Sequence, residues 1–491
     1  MLIQNATLIT ASETLFADVL IEGEKIAAIL PPGSPVPPAT QVMDARGLLL
    51  LPGGVDPHVH LDLPMFDTVS SDDHYTGHKA AAFGGTTTVM DFIPLAAPPL
   101  PLGVPVGNDK GKGEGIFQTS LAQWRAKAQK AAIDYSFHMN LTAWNPQIAA
   151  ELPALLEAGI NTLKVFTAYN NRLRLDDRSI FEAMQHASRL GMLVMAHCEN
   201  GDVIETLTAQ ALAAGHTAPE WHAHTRPAWG AVEATLRMCA MAAQADAPTY
   251  IVHMNAGGEV DLLRYAKERG APVFGETCPQ YLFFTQEHLR RPDGAKWICS
   301  PPMRTPADNA RLWEGVQHGI LDTIGTDHCP FFYDGTQPMV YEGKPVAIPG
   351  KELGREDFTK IPNGLPGIQD RLPILWTEGV GKGRMTPNQF VALTATNPAK
   401  IFGLYPRKGT IMPGSDADLV LWDPQKRVCY GVAHSQQRTD YNLYEGWELQ
   451  GYPVKVFLRG NLIVDDGKWL GRAGMGQFLP RSKFDRALNG V

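Results

Sequence analysis

The 491-residue sequence holds no C-x-x-C pair, no uninterrupted apolar run of membrane-spanning length and no long block of one charge sign. Each absence removes a class of protein. Cys198, Cys239, Cys278, Cys299, Cys329 and Cys429 are scattered, which argues against a disulfide framework and a thiolate zinc site and makes a reducing cytoplasm the expected setting. Without about 20 consecutive apolar residues no helix is expected to cross a bilayer. The formal charge of -8 is modest for this length, so neither nucleic acid nor an anionic membrane surface is expected as a partner. Met1-Leu2-Ile3-Gln4-Asn5 is not a basic segment leading into an apolar run, so no secretion signal is expected. Small, neutral or mildly polar molecules remain as substrates.

What is present is a rhythm. Between about residues 53 and 400, β-rich runs at 54–58, 87–92, 136–141, 163–166, 193–197, 250–253, 273–277 and 323–327 alternate with helical stretches, for example 121–132, 179–190, 232–243, 259–268 and 309–318. Eight strand-helix units in one array predict an α/β fold, a (β/α)8 barrel of the TIM type, with its active site at the carboxyl ends of the strands. Before the barrel, residues 17–26, turning at Glu22-Gly23-Glu24, and 48–51 read as strands; after it, 417–422 and 454–464 do the same. Neither flank makes a good sheet alone, so both chain ends are expected to build one small β-sandwich-like domain. The expected division is 1–52 and 401–470 for the two parts of that domain, 53–400 for the metal-dependent hydrolase barrel, and 471–491 for a C-terminal arm contacting another subunit. Residues 94–115, rich in proline and glycine, break the rhythm. They form a long loop at the carboxyl end of the second strand, placed either to cover the mouth and read the substrate or to pack on the surface or a neighbouring subunit.

The strand ends hold the chemistry. Asp56-Pro57-His58-Val59-His60 puts two imidazoles one residue apart on an extended chain, where alternate side chains share a face. Neutral imidazoles suit zinc, copper, iron or nickel. The other strand ends add Lys164, His197, His253 and Asp327. Each residue alone has an ordinary reading: a hydrogen-bonded histidine, a surface lysine, an aspartate capping the next helix. Their joint placement at ends that converge on one mouth points to a metal-assisted reaction. Other histidines, among them His74, His78, His186, His222, His224, His328 and His434, lack such placement and read as structural or exposed.

Further segments follow in order along nearly the whole chain: Gly84-Gly85-Thr86-Thr87-Thr88, Lys164-Val165-Phe166-Thr167-Ala168-Tyr169, Ala196-His197-Cys198-Glu199-Asn200, Gly275-Glu276-Thr277-Cys278-Pro279-Gln280-Tyr281, Cys299-Ser300-Pro301-Pro302, Thr326-Asp327-His328-Cys329 and Lys360-Ile361-Pro362-Asn363-Gly364. In this set the chain resembles the dihydropyrimidinase/D-hydantoinase family of cyclic amidohydrolases. The resemblance implies that Lys164 is carboxylated by carbon dioxide and that its carbamate bridges two divalent metal ions, with zinc favoured by the imidazole and carboxylate ligands. It assigns His58, His60 and Asp327 to one ion and His197 and His253 to the other, with Lys164 shared. An ammonium beside two dications would be repelled, whereas a carbamate attracts both. Two dications against a carbamate, a carboxylate and a bridging hydroxide leave about +1, which holds a hydroxide at neutral pH.

The implied reaction is hydrolytic opening of a cyclic amide, a 5,6-dihydropyrimidine or a 5-substituted hydantoin, to the N-carbamoyl amino acid by that hydroxide. Tyr169 matches the family tyrosine that donates to the developing oxyanion. Asp327 takes the hydroxide proton and passes it to the leaving nitrogen. Backbone groups at Ser300 and Asn363 pair with the amide edge of the ring. Leu63, Pro64, Met65 and Phe66 stand where an apolar or aromatic ring substituent would be read, or simply pack on the barrel rim. Dihydroorotases place an arginine where this chain has Asp62, an acid that would repel an anionic substrate. Allantoinase, a ureide hydrolase with the same metal set, is the alternative. Asn255, where many relatives have serine, and the 94–115 loop leave the natural substrate open. Some relatives have lost metal ligands and act as non-catalytic scaffolds; all six ligand residues stand here. The resemblance also implies a homo-oligomer, a tetramer or a dimer.

Overall fold

The computed structural model describes residues 1–35, 37–38, 40–65, 68–95, 115–334, 338–341, 344–347 and 349–491. Eight parallel strands run in chain order around one sheet: β1 (Gly54–Val59), β2 (Thr86–Ile93), β3 (Asp134–Asn140), β4 (Thr162–Phe166), β5 (Leu193–His197), β6 (Thr249–Ile251), β7 (Val273–Thr277) and β8 (Thr323–Ile324). Each of the eight runs expected from the sequence holds a strand, although those at 250–253 and 323–327 leave the strand after Ile251 and Ile324. Every residue of β1, β2 and β3 is buried, as required of a parallel sheet covered on its outer face by helices and filled inside by side chains.

The ring closes through side chains as well as backbone. Between β8 and β1 the backbone offers a parallel bridge at Val59 and His328 and a 2.7 Å hydrogen bond from the His60 N–H to the His328 carbonyl. Deeper in the seam, the Thr326 hydroxyl donates to Asp56 Oδ2 at 2.7 Å, and fully buried Arg371 donates to the carbonyls of Val55 and Ile324 at 3.0 and 3.1 Å. These contacts supply partners that the missing ladder would leave unmade.

The helices follow the apolar spacing. Asp177–Leu190 buries Ile180, Ala183, Met184 and Ala187, is capped by Asp176 accepting from the Ser179 N–H at 2.8 Å, and stops at Gly191 in the left-handed region. Ala228–Ala245, Gly257–Glu268 and Pro306–Gln317 lie where helices were expected. The helix expected at 121–132 runs instead over Ile116–Lys127, because Glu151 Oε2 accepts from the Phe117 N–H at 3.2 Å and satisfies its first turn. Among the described residues no helix is long and apolar enough to cross a membrane.

The chain ends share a second, nine-stranded sheet. Leu419–Cys429 pairs antiparallel with Leu49–Pro52, Leu421 facing Leu50, so the C-terminal strands continue the sheet begun by Leu2–Ile9, Thr14–Glu22 and Lys25–Leu30. Ile3, Leu8, Val19, Leu50, Leu419 and Phe457 form its core. A buried ionic cluster joins it to the barrel: Lys408 Nζ contacts Asp134 at 2.6 Å, Asp418 at 2.7 Å and Asp416 at 3.0 Å. The last residues, expected as an arm toward another subunit, lie along the amino-terminal end of this chain's own barrel. Leu479 N–H donates to the Tyr135 carbonyl at 2.7 Å and Phe484 N–H to the Gly191 carbonyl at 2.8 Å. Glycine at 159 permits this approach, since a Cβ there would lie 2.6 Å from Pro480.

Candidate active site

At the carboxyl end of the barrel lies a cavity of about 540 Å³. His58, His60, Lys164, His197, His253 and Asp327 all line it, as do Tyr169, Ser300 and Asn363. His58, Lys164 and His197 sit within β1, β4 and β5, while His60, His253 and Asp327 lie just past their strands. His253 at φ 39°, Asp327 at φ 53° and Tyr169 at φ 65° take the left-handed backbone region that such residues normally avoid. A strained backbone of this kind persists where surrounding structure enforces it, and it clusters at functional sites.

Two sets of donor atoms face one another. His58 Nε2 and His60 Nε2 each lie 3.1 Å from Asp327 Oδ1, and His197 Nδ1 lies 3.0 Å from His253 Nε2. His58, His60 and Asp327 can each offer one atom to a common centre, all within 4.8 Å of one another. His60 Nδ1 is buried without a hydrogen-bond partner, and His58 Nε2 meets Asp327 outside hydrogen-bonding geometry. Burial lowers the pKa of His60, His197 and His253, keeping these rings neutral with lone pairs available. At His58 burial also disfavours charge, but Glu276 and Asp327 outweigh it and raise the pKa to about 9. Burial pushes Asp327 up, but His58 and its other neighbours hold it well below the usual carboxylate range. Three neutral imidazoles, an ionised Asp327 and a His58 ring that stays charged between Glu276 and Asp327 therefore form a set in which a cation can take the place of the His58 proton, and the residues present fit divalent metal. Lys164, only 2% exposed, packs its Nζ 4.8 Å from the Phe92 ring, and burial lowers its pKa to about 8. That moves it toward the free amine, the form able to take up carbon dioxide.

Two carboxylates behind the rings were not foreseen as site residues. Glu276 Oε1 accepts from His58 Nδ1 at 2.7 Å, and Glu199 Oε2 from His197 Nε2 at 2.9 Å. Glu199 also receives Arg226 at 2.8 Å; burial opposes its charge, but Arg226 prevails and the pKa falls to about 2. Such outer carboxylates fix which ring nitrogen faces a metal. The sequence did offer a hint, because Glu199 stands two residues beyond His197, the spacing that shares a face in extended chain.

The walls divide by character. The Tyr169 ring lies 5.1 Å from the His197 ring, tilted 46° to it, and burial keeps its hydroxyl protonated and able to donate. Ser300 and Asn363 come from two segments held together by the Gly364 N–H, which donates to the Ile298 carbonyl at 3.2 Å. A Cβ at 364 would meet the Cys329 carbonyl at 2.3 Å, so only glycine allows the Asn363 segment to lie this close. Leu63, Pro64, Met65, Leu95, Phe166 and Leu173 give the outer part an apolar lining. Phe66 and residues 96–114 of the long loop lie outside the described residues, although Pro94 and Leu95 at its start reach the cavity.

Two substrate arguments change. Asp62 does not line the cavity; its carboxylate lies 3.4 Å from Lys130 and 3.7 Å from His74, so it exerts no repulsion on a substrate, and what remains is the lack of an arginine there. Asn255 is buried outside the cavity, its backbone N–H and side-chain amide donating to Glu259 at 2.9 and 3.2 Å and its Oδ1 accepting from Arg304 at 2.5 Å, so its polar groups are spent just ahead of a helix and do not face a substrate. Among the histidines read as structural, His328 is buried with its Nδ1 accepting from the Gly367 N–H at 3.1 Å.

The described geometry has close parallels in known proteins. The pattern of the amidohydrolase family matches residues 49–463. The D-hydantoinase of Geobacillus stearothermophilus is 43% identical over 489 residues, covering 98% of this chain and 97% of that protein. The D-hydantoinase of Streptomyces coelicolor is 40% identical over 486 residues, covering 98% and 97%. The crystal structure of dihydropyrimidinase from Brevibacillus agri superposes with a TM-score of 0.90 at 45% identity, covering 99% of each chain. Full-length similarity of this order in both sequence and fold shows that the chain belongs to the amidohydrolase family and, within it, to the D-hydantoinase and dihydropyrimidinase group.

Proposed function

We propose that this chain is a cyclic amidase that hydrolyses a 5,6-dihydropyrimidine or a 5-substituted hydantoin to the corresponding N-carbamoyl amino acid. The observation that carries the reading is the convergence of His58, His60, Lys164, His197, His253 and Asp327 on the floor of one cavity whose walls hold Tyr169, Ser300 and Asn363. His58, His60 and Asp327 would hold one divalent ion and His197 and His253 a second, with a carbamate on Lys164 between them; zinc suits this set, and manganese, cobalt or iron can use it. When bound, such a pair supplies a hydroxide at neutral pH and polarises the amide carbonyl.

The chain's own residues supply the rest. Backbone groups at Ser300 and Asn363 hold the ring's amide edge and present its carbonyl to the floor. Tyr169, kept protonated by burial, donates to the oxygen on which charge builds. Asp327, held ionised, takes the proton of the attacking hydroxide through one oxygen and returns it to the ring nitrogen as the C–N bond breaks. Water adds across that bond, giving a carboxylate on one side and a ureido NH2 on the other. The apolar lining from Leu63, Met65 and Phe166 favours an apolar ring substituent over the polar ureido group of allantoin. All six cysteines are free, which supports the reading of a reducing compartment.

Lys164→Ala tests the metal assignment. The variant is expected to lose ring opening and to retain fewer divalent ions than the two expected per wild-type chain after expression with metal and bicarbonate. Retention of both ions and of activity would remove Lys164 from the site's chemistry.

A further inference from the structure

Lys351 is 1% exposed and does not line the cavity, yet it joins the two segments that do. Its Nζ donates to the carbonyl of Ile298 at 2.9 Å and to that of Pro362 at 3.2 Å. Ile298 precedes Ser300 by two residues, and Pro362 directly precedes Asn363. Among the described residues no carboxylate pairs with Lys351, and burial pushes its pKa down to about 7. Lysine is among the side chains least often buried, and burying it without a counter-charge is costly unless its donors are satisfied. Its own position is fixed on both sides. The Lys351 N–H donates to the Phe332 carbonyl at 2.8 Å, and the Thr68 hydroxyl donates to the Pro349 carbonyl at 2.6 Å. A Cβ on the preceding Gly350 would lie 2.1 Å from the Phe332 carbonyl oxygen, so this approach admits only glycine.

The Gly364 N–H already bonds the Ile298 carbonyl. That link ties the segments on one side of Asn363. Lys351 ties them on the other, through Pro362. We propose that Lys351 is a positioning residue for substrate recognition, its Nζ setting the spacing between the Ser300 and Asn363 segments so that both backbone groups meet one ring edge. This rests on the reading that those two segments hold the amide edge of the substrate. Preorganising them before binding lowers the ordering cost that substrate affinity must otherwise meet.

Lys351→Met keeps the aliphatic stem and removes the donor, whereas Lys351→Gln retains one. Steady-state kinetics with hydantoin, normalised to metal-loaded sites, are expected to show KM raised about tenfold in Lys351→Met with kcat within about threefold of wild type, and a smaller rise in Lys351→Gln. Metal content is expected to match wild type in both. An unchanged KM in folded Lys351→Met would overturn the proposal, and so would failure of both variants to fold, because Lys351 would then be a folding residue. A wild-type enzyme that opens no cyclic amide would instead remove the reading of Ser300 and Asn363, so the two failures are separable.

Discussion

Glu276 Oε1 lies 2.7 Å from His58 Nδ1, and the same oxygen accepts the His253 backbone N–H at 3.0 Å. One carboxylate thus fixes a ring at the end of β1 and the backbone just past β6, the two sides of the candidate metal centre. Its second oxygen accepts from the Tyr250 hydroxyl at 2.9 Å, which keeps it from turning away. Glu276→Gln keeps the shape but weakens the acceptor facing His58. It is expected to lower metal affinity about 10- to 100-fold in competition with a chelator while leaving the folded structure intact. Unaltered metal retention would show that His58 needs no such orientation.

Tyr169→Phe keeps the ring against His197 and removes only the hydroxyl. If that hydroxyl stabilises the oxyanion, kcat falls about 10²-fold or more, with KM and metal content close to wild type. A fall in affinity with kcat preserved would make Tyr169 a wall of the cavity only.

Asp416 belongs to the ionic cluster through which Lys408 reaches Asp134 of the barrel, lying 2.6 Å from Lys25, 2.9 Å from Arg407 and 3.0 Å from Lys408. Burial opposes its charge, but Lys408 and the other cations prevail and lower its pKa from 3.8 to about 2. A depressed carboxyl pKa stabilises the fold above the unfolded value and loses that contribution as pH falls through the folded value. Wild type is therefore expected to unfold at higher urea than Asp416→Asn near neutral pH, with the gap closing between about pH 4 and pH 2. A gap constant across that range would remove Asp416 from the acid response.

Much of this architecture is legible in the sequence because a strand buried on both faces has to be an apolar run, and because the polar residues ending such runs face the mouth of the barrel. His58, Lys164, His197 and Asp327 stand out for that reason. Side-chain direction after a strand ends is less legible. Asp62, two residues past His60, would share its face in extended chain, but its φ of 51° turns it toward Lys130 and His74. Glu276 falls inside a recognisable segment, yet only the fold puts it behind His58. Lys351 stands in an irregular stretch without periodicity, and its burial depends on segments far away in the chain. The seam is similar: nothing near Arg371 announces that its guanidinium reaches the carbonyls of Val55 and Ile324.

The central claim is hydrolytic opening of a cyclic amide ring with an apolar or small substituent. Its most direct test is kcat/KM for hydantoin, dihydrouracil, a 5-aryl hydantoin and allantoin, measured side by side on metal-loaded enzyme with the N-carbamoyl product identified. The expected result is efficient opening of hydantoins or dihydrouracil, with allantoin far behind. A strong preference for allantoin, or no ring opening of any of the four, would contradict it.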